Sequence, residues 1–120
     1  MVAPSVPAHS SFETDARPLP ALLTGHELTD ARIIKMDVEG GEAAAITGLA
    51  SHLHRLHPAA ELAIEVSPRL LRKQGHSVDG VLQPLLARGF HPYLLANDYR
   101  ARGYPGVLQR PRPPVRLHRP

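Results

Sequence analysis

Three carboxylates fall close together in the stretch RIIKMDVEGGEAAAITGLA, Arg32 to Ala50: Asp37, Glu39 and Glu42, with Gly40-Gly41 between the second and the third. Acids gathered in this way can take a proton from a hydroxyl, accept hydrogen bonds from a ligand, or hold a divalent cation. Asp37 ends an apolar run, and an acid there is unfavourable unless it is paired or solvated, which favours a functional role for it. Glu42 has a plainer account: a carboxylate in a first helical turn gains roughly 0.3–1 kcal/mol from the helix dipole without doing chemistry. Gly40-Gly41 serves either as a tight turn or as a place for a ligand to approach the backbone closely, and both readings stay open.

The flanking elements decide where those acids stand. Ile33 to Val38 is a short run with β-branched residues that stops at glycines, the pattern of a strand buried on both faces, with Lys35 as the discordant residue. From Gly41 to His57, Ile46, Leu49, Leu53 and Leu56 recur at spacings of 3, 4 and 3, one stripe of a helix closed by Pro58. If the strand is parallel to its neighbours, Asp37 and Glu39 lie at its carboxyl end, the rim where open α/β sheets bind ligands.

Downstream, Glu61 to Val66 reads as a second strand stopped by Ser67-Pro68. A helical region follows over Arg69 to Arg88, broken near Gly75 and ended by Gly89, with Pro84 predicting a kink or a late helix start. FHPYLLA, residues 90–96, reads as a third strand with Pro92 at its beginning or at a bulge. Upstream, Leu19 to Leu28 predicts a short helix or turn, and residues 1–20 are otherwise loose. Strand, helix, strand, helix, strand is the order of βαβ units and a parallel sheet, although three strands are few for one.

Composition narrows the function classes. The 120 residues have room for one domain, and with two Phe, three Tyr, no Trp and thirteen Pro its core is thin. Without cysteine there are no disulfides, thiolate metal sites or cysteine nucleophiles. No segment approaches the ~20 apolar residues of a membrane span, and the N-terminal residues lack a leader pattern, so a soluble cytoplasmic protein is expected, with no membrane partner. The net charge of +3 is unevenly placed: Arg100, Arg102, Arg110, Arg112, Arg116 and Arg119 follow Asp98 with no acid among them. The preceding residues are acidic overall, which confines any nucleic-acid role to the tail.

Two other patterns invite chemistry. His52, His54 and His57 suggest a metal, but at about 100° per residue His52 and His54 diverge on a helix, and His54 with His57 makes only two ligands. Solvated or helix-end histidines are the expectation, and no metal site is assigned. The tail RPRPPVRLHRP suits phosphate contacts or a polyproline ligand, which defines the competing function, a binding module for protein or nucleic acid. No aromatic residue beyond Tyr104 is present to stack bases, so a solvated tail is expected and nucleic acid is not expected as a partner.

Ile34-Lys35-Met36-Asp37-Val38-Glu39-Gly40-Gly41-Glu42, with Ile46-Thr47-Gly48 after it, resembles the motif of the FkbM-type methyltransferases: a strand, an acidic turn and a helix ending L-x-G. AELAIEVSP looks like that family's next strand, VLQPLLARGFHPYLL like its later helix and strand, and PLPALL like its leucine-rich upstream segment, with Pro20 where an Asp is often found. The resemblance covers about residues 17–98, and Pro84 and Pro92 depart from it. It sets residues 1–16 aside as a loose segment and 99–120 as a basic tail.

The resemblance implies an α/β, partial Rossmann-like methyltransferase fold, a mostly parallel sheet with flanking helices. It implies methyl transfer from S-adenosylmethionine to a small-molecule acceptor, commonly a hydroxyl oxygen of a sugar or secondary metabolite. The glycine-rich cofactor loop and the earlier cofactor-binding strands of such enzymes are missing from this sequence, so the expectation is a carboxyl-terminal half with little activity alone. Its exposed sheet edge should favour self-association. Carried onto this chain, the family pattern makes Asp37 and Glu39 the candidate catalytic residues and Glu39, Gly40 and Glu42 the candidate cofactor-binding residues.

Overall fold

A computed structural model describes residues 13–96 and 112–118 of the chain. In order they form α1 (Leu19–Leu22), α2 (Gly25–Asp30), β1 (Ile33–Met36), α3 (Glu42–Ala50), a 3₁₀ turn (Leu53–Arg55), β2 (Glu61–Ile64), α4 (Pro68–Lys73), α5 (Val78–Ala87), β3 (Tyr93–Leu94) and β4 (Val115–Arg116). β1 and β2 pair in parallel, Ile33 opposite Glu61 through Met36 opposite Ile64. This mixed α/β arrangement, a small parallel sheet with flanking helices, is a partial Rossmann-like fold. No helix among the described residues is long and apolar enough to cross a membrane.

The core gathers on one side of the parallel sheet. Ile34 and Met36 of β1 are buried there with Leu28, Ile46, Leu49, Leu53, Leu56, Leu71, Val81 and Leu85. All four members of the predicted stripe, Ile46, Leu49, Leu53 and Leu56, belong to it, although the helix expected to run to His57 stops at Ala50, Leu53 sits in the 3₁₀ turn and Leu56 follows that turn in extended backbone. Each such side chain contributes roughly 1.5–3 kcal/mol by leaving water. α3 packs against α5 and α1 against α3. The last contact needs Gly48, the glycine of the L-x-G pattern, because a Cβ there would stand 2.9 Å from Pro18 Cβ.

Local signals set the helix ends. Thr24 caps α2 in a capping box, its hydroxyl accepting from the Glu27 N–H while the Glu27 carboxylate accepts from the Thr24 N–H. Those bonds from Thr24, the backbone one first, hold the Glu27 carboxyl below its ordinary pKa. Ser77 caps α5 through the Gly80 N–H, and the breaks near Gly75 and before Gly89 fall where the sequence predicts them. Pro84 lies inside α5, so the predicted late start is not observed; the helix has already begun at Val78.

Three expectations need correction. The first strand is not buried on both faces: Ile33 is 70% exposed and Lys35 is exposed, while Ile34 and Met36 are buried. Among the described residues helices cover one face only, so the strand alternates and Lys35 is no longer discordant. Residues 90–96 do not supply a third parallel strand; Tyr93–Leu94 pairs antiparallel with Val115–Arg116 in a separate ribbon whose strand residues are all exposed. Pairing with residues 115–116, rather than with β1 or β2, takes this segment out of the parallel sheet. The short helix or turn expected over residues 19–28 is two short helices, because the Thr24 cap starts a new helix. The expectations for residues 1–12 and for most of the basic tail lie outside the described residues.

Candidate functional site

The acidic stretch forms the turn between β1 and α3. Val38 accepts a hydrogen bond from the Gly41 N–H at 3.0 Å, and the two residues between them have positive φ, 44° at Glu39 and 97° at Gly40. Positive φ at both central positions is the signature of a type I′ turn. Glycine adopts it freely, whereas a residue with a Cβ is destabilised by roughly 1–2 kcal/mol. Non-glycine residues held this way cluster at functional sites, and Glu39 is such a residue. Beside Gly40 the space is filled by α4: a Cβ would stand 3.0 Å from Leu70 Cβ and 3.2 Å from Gln74 Nε2.

The three acids have three different surroundings. Asp37, the first residue after β1, continues the open side of the strand and pairs with Lys35 two positions earlier, Nζ to Oδ2 3.1 Å. Its side chain is 41% exposed, so the anomaly that singled it out in the sequence dissolves: the acid is both solvated and paired. Such an exposed pair is worth about 0–1 kcal/mol. Glu39 is exposed and its carboxylate has no partner among the described residues. Glu42 is completely buried.

Glu42 is therefore the acid that needs explaining. Its Oε1 accepts from the Gly40 N–H at 3.1 Å and from the Ser67 N–H at 3.3 Å, and its Oε2 has no partner among the described residues. One carboxylate thus ties the turn after β1 to the turn after β2. Both turns stand at the carboxyl ends of neighbouring parallel strands, and the Glu65 N–H donates to Met36 O at 2.8 Å to keep the strands together up to that point. The sequence reading of Glu42 as a first-turn electrostatic residue places it correctly at the start of α3 but misses this role.

The model of the FkbM methyltransferase domain family matches residues 6–92, well over half of the chain. The chain belongs to the FkbM methyltransferase domain family. No curated protein and no solved structure matches it. The matched span takes in the acidic turn, both parallel strands and helices α1 to α5, and it stops just before β3.

Methyltransferase domains of this kind generally use S-adenosylmethionine, and the groups at the FkbM acidic turn can be tested against that cofactor. Its hydroxyls and ammonium are hydrogen-bond donors, for which the uncommitted, exposed Glu39 carboxylate is a suitable acceptor. The Gly40 N–H and Glu42 Oε1 are already engaged with each other. Sequence reasoning missed Ser67, Leu70 and Gln74, which reach the turn from the β2–α4 segment; Ser67-Pro68 read only as the end of a strand.

The other sequence signals fall elsewhere. A groove of about 130 Å³ lies between α3 and α5, lined by residues such as Ile46, Thr47, His76 and Ser77, and none of the three acids borders it. Because α3 ends at Ala50, the three histidines do not share one helix. His52 Nδ1 lies 2.9 Å from Ser51 Oγ, and His57 Nδ1 accepts from the Ala59 N–H. In the tail, Arg116 Nη2 lies 3.0 Å from His91 Nδ1, which ties residues 115–116 back to the domain a second time.

Proposed function

We propose that this FkbM-family chain is the carboxyl-terminal half of an S-adenosylmethionine-dependent methyltransferase domain acting on a hydroxyl oxygen of a small molecule such as a sugar or secondary metabolite. The observation that carries the reading is the acidic turn at the carboxyl end of β1, with Glu39 held at positive φ. The open face of the parallel sheet and its width of two strands among the described residues support the view that further strands complete the pocket.

When bound, the cofactor supplies an electrophilic methyl group on a sulfonium. Glu39 would accept hydrogen bonds from the cofactor, while Gly40 and Glu42 would contribute by holding the turn that presents it. Asp37 would orient the acceptor hydroxyl and accept its proton, with the displaced sulfur leaving as a neutral thioether. A positioned base of this kind contributes roughly 10²–10⁴-fold to rate.

The test is ¹⁵N–¹H NMR titration of the full chain with S-adenosylmethionine, using ATP as a control for nonspecific nucleoside binding. We expect selective, weak-affinity shifts at Glu39 to Gly41 that ATP does not reproduce. Shifts confined to other regions, or none at millimolar cofactor, would overturn the assignment. Micromolar affinity by isothermal titration would overturn the split-pocket part of it.

A further inference from the structure

We propose that Glu42 is a positioning residue that sets the spacing between the two rim turns, and that it does so without touching a ligand. Its complete burial keeps it from solvent, and its Oε1 bridges Gly40 on one turn to Ser67 on the other. A carboxylate is unfavourable in such a place unless donors surround it, and two backbone N–H groups aimed at one oxygen offset that only if both turns hold their geometry. The start of α3 adds the favourable end of a helix dipole.

The same bond explains how Glu39 stays in a left-handed conformation. Fixing the Gly40 amide on Glu42 fixes the second central residue of the turn, and Leu70 of α4 and Gln74 just after that helix close over it. α4 follows directly from Ser67, the other residue that Glu42 holds. Glu42, Gly40, Ser67 and α4 thus form one closed loop of contacts around the turn that presents Asp37 and Glu39. The relevance of that loop to catalysis rests on the methyltransferase reading; its existence as a clamp does not.

Amide hydrogen exchange on the full chain separates the two. Glu42→Met keeps the shape of the side chain and removes the acceptor, so the Gly40 and Ser67 amides should exchange roughly 10–100-fold faster. The ladder amides of Glu61 and Glu65 should keep their rates. Glu42→Gln retains one acceptor oxygen and should restore protection at Gly40 and Ser67. Unchanged exchange at both amides in Glu42→Met, or acceleration only together with Glu61 and Glu65, would overturn the clamp.

Should Glu42→Met not fold, the wild-type chain still decides the matter through scalar couplings across the hydrogen bonds, from the Glu42 carboxyl carbon to the Gly40 and Ser67 amide nitrogens. Their presence supports the clamp and their absence overturns it. None of these readouts involves the cofactor, so a failed S-adenosylmethionine titration leaves them standing. Where the wild-type chain does respond to the cofactor, Glu42→Gln should keep the response and Glu42→Met should weaken it. Equal weakening in both would mean that the carboxylate itself meets the ligand, contrary to the proposal.

Discussion

The two faces of the β1–β2 sheet are built from alternate residues of the same strands, yet they do opposite things. The inner face, Ile34 and Met36 with Leu62 and Ile64, closes onto α3, α5 and the rest of the core. The outer face carries Ile33, Lys35, Glu61 and Ala63, all exposed, and runs on to the paired and solvated Asp37. Alternation lets one short strand anchor the fold and present an acid at its end. It also separates the two kinds of mutation that this domain should show.

The largest expected effect comes from comparing neighbours of identical type. Ile34→Ala should destabilise the chain by about 2–4 kcal/mol in chemical denaturation, as a buried truncation does. Ile33→Ala, one residue away, should change stability by no more than about 0.5 kcal/mol. Equal losses would show that something covers the outer face in solution, including a second copy of the chain, and the contrast between the faces would fail. Sedimentation velocity on the same samples identifies that case.

An intermediate effect of opposite sign is expected at the turn. Glu39→Gly relieves the positive φ and should stabilise the chain by about 0.5–1 kcal/mol in the same denaturation assay, after allowing for the freer unfolded chain. It should also abolish the shifts that S-adenosylmethionine induces at residues 39–41. Stability gained and response lost is the mark of strain held for function. Lost stability would mean instead that the Glu39 side chain makes supporting contacts.

The smallest effect belongs to the outer-face ion pair. Asp37→Asn should alter stability by less than about 0.5 kcal/mol, and a double-mutant cycle with Lys35→Met should give a coupling that shrinks as salt is added. A coupling of several kcal/mol would place the pair in a dry environment, and the outer face would no longer count as open.

Much of this is legible in the sequence. The helical stripe Ile46, Leu49, Leu53 and Leu56 is buried in full because periodicity reports the face that must leave water, whichever helix type carries it. A turn at this point is legible from Gly40-Gly41, although its central pair is Glu39-Gly40 and only Gly40 uses the conformational freedom of glycine. The burial of the first strand on one face is not legible, because a continuous apolar run does not say how many faces are covered. The third strand is present at Tyr93–Leu94, but its antiparallel pairing is not legible in the sequence because its partner, Val115–Arg116, lies far along the chain.

The candidate site divides in the same way. Sequence by itself determined which residues gather at the strand end, since Asp37, Glu39, Gly40 and Glu42 are neighbours along the chain and covalent geometry keeps them together. It also carried the family, whose motif is local. Only the tertiary structure decided which acid is buried: Asp37 was singled out for the unfavourable burial that Glu42 in fact undergoes. The physical reason is that burial depends on what packs from elsewhere, here the turn at Ser67 and helix α4, and no local pattern records which distant backbone amide a carboxylate will meet.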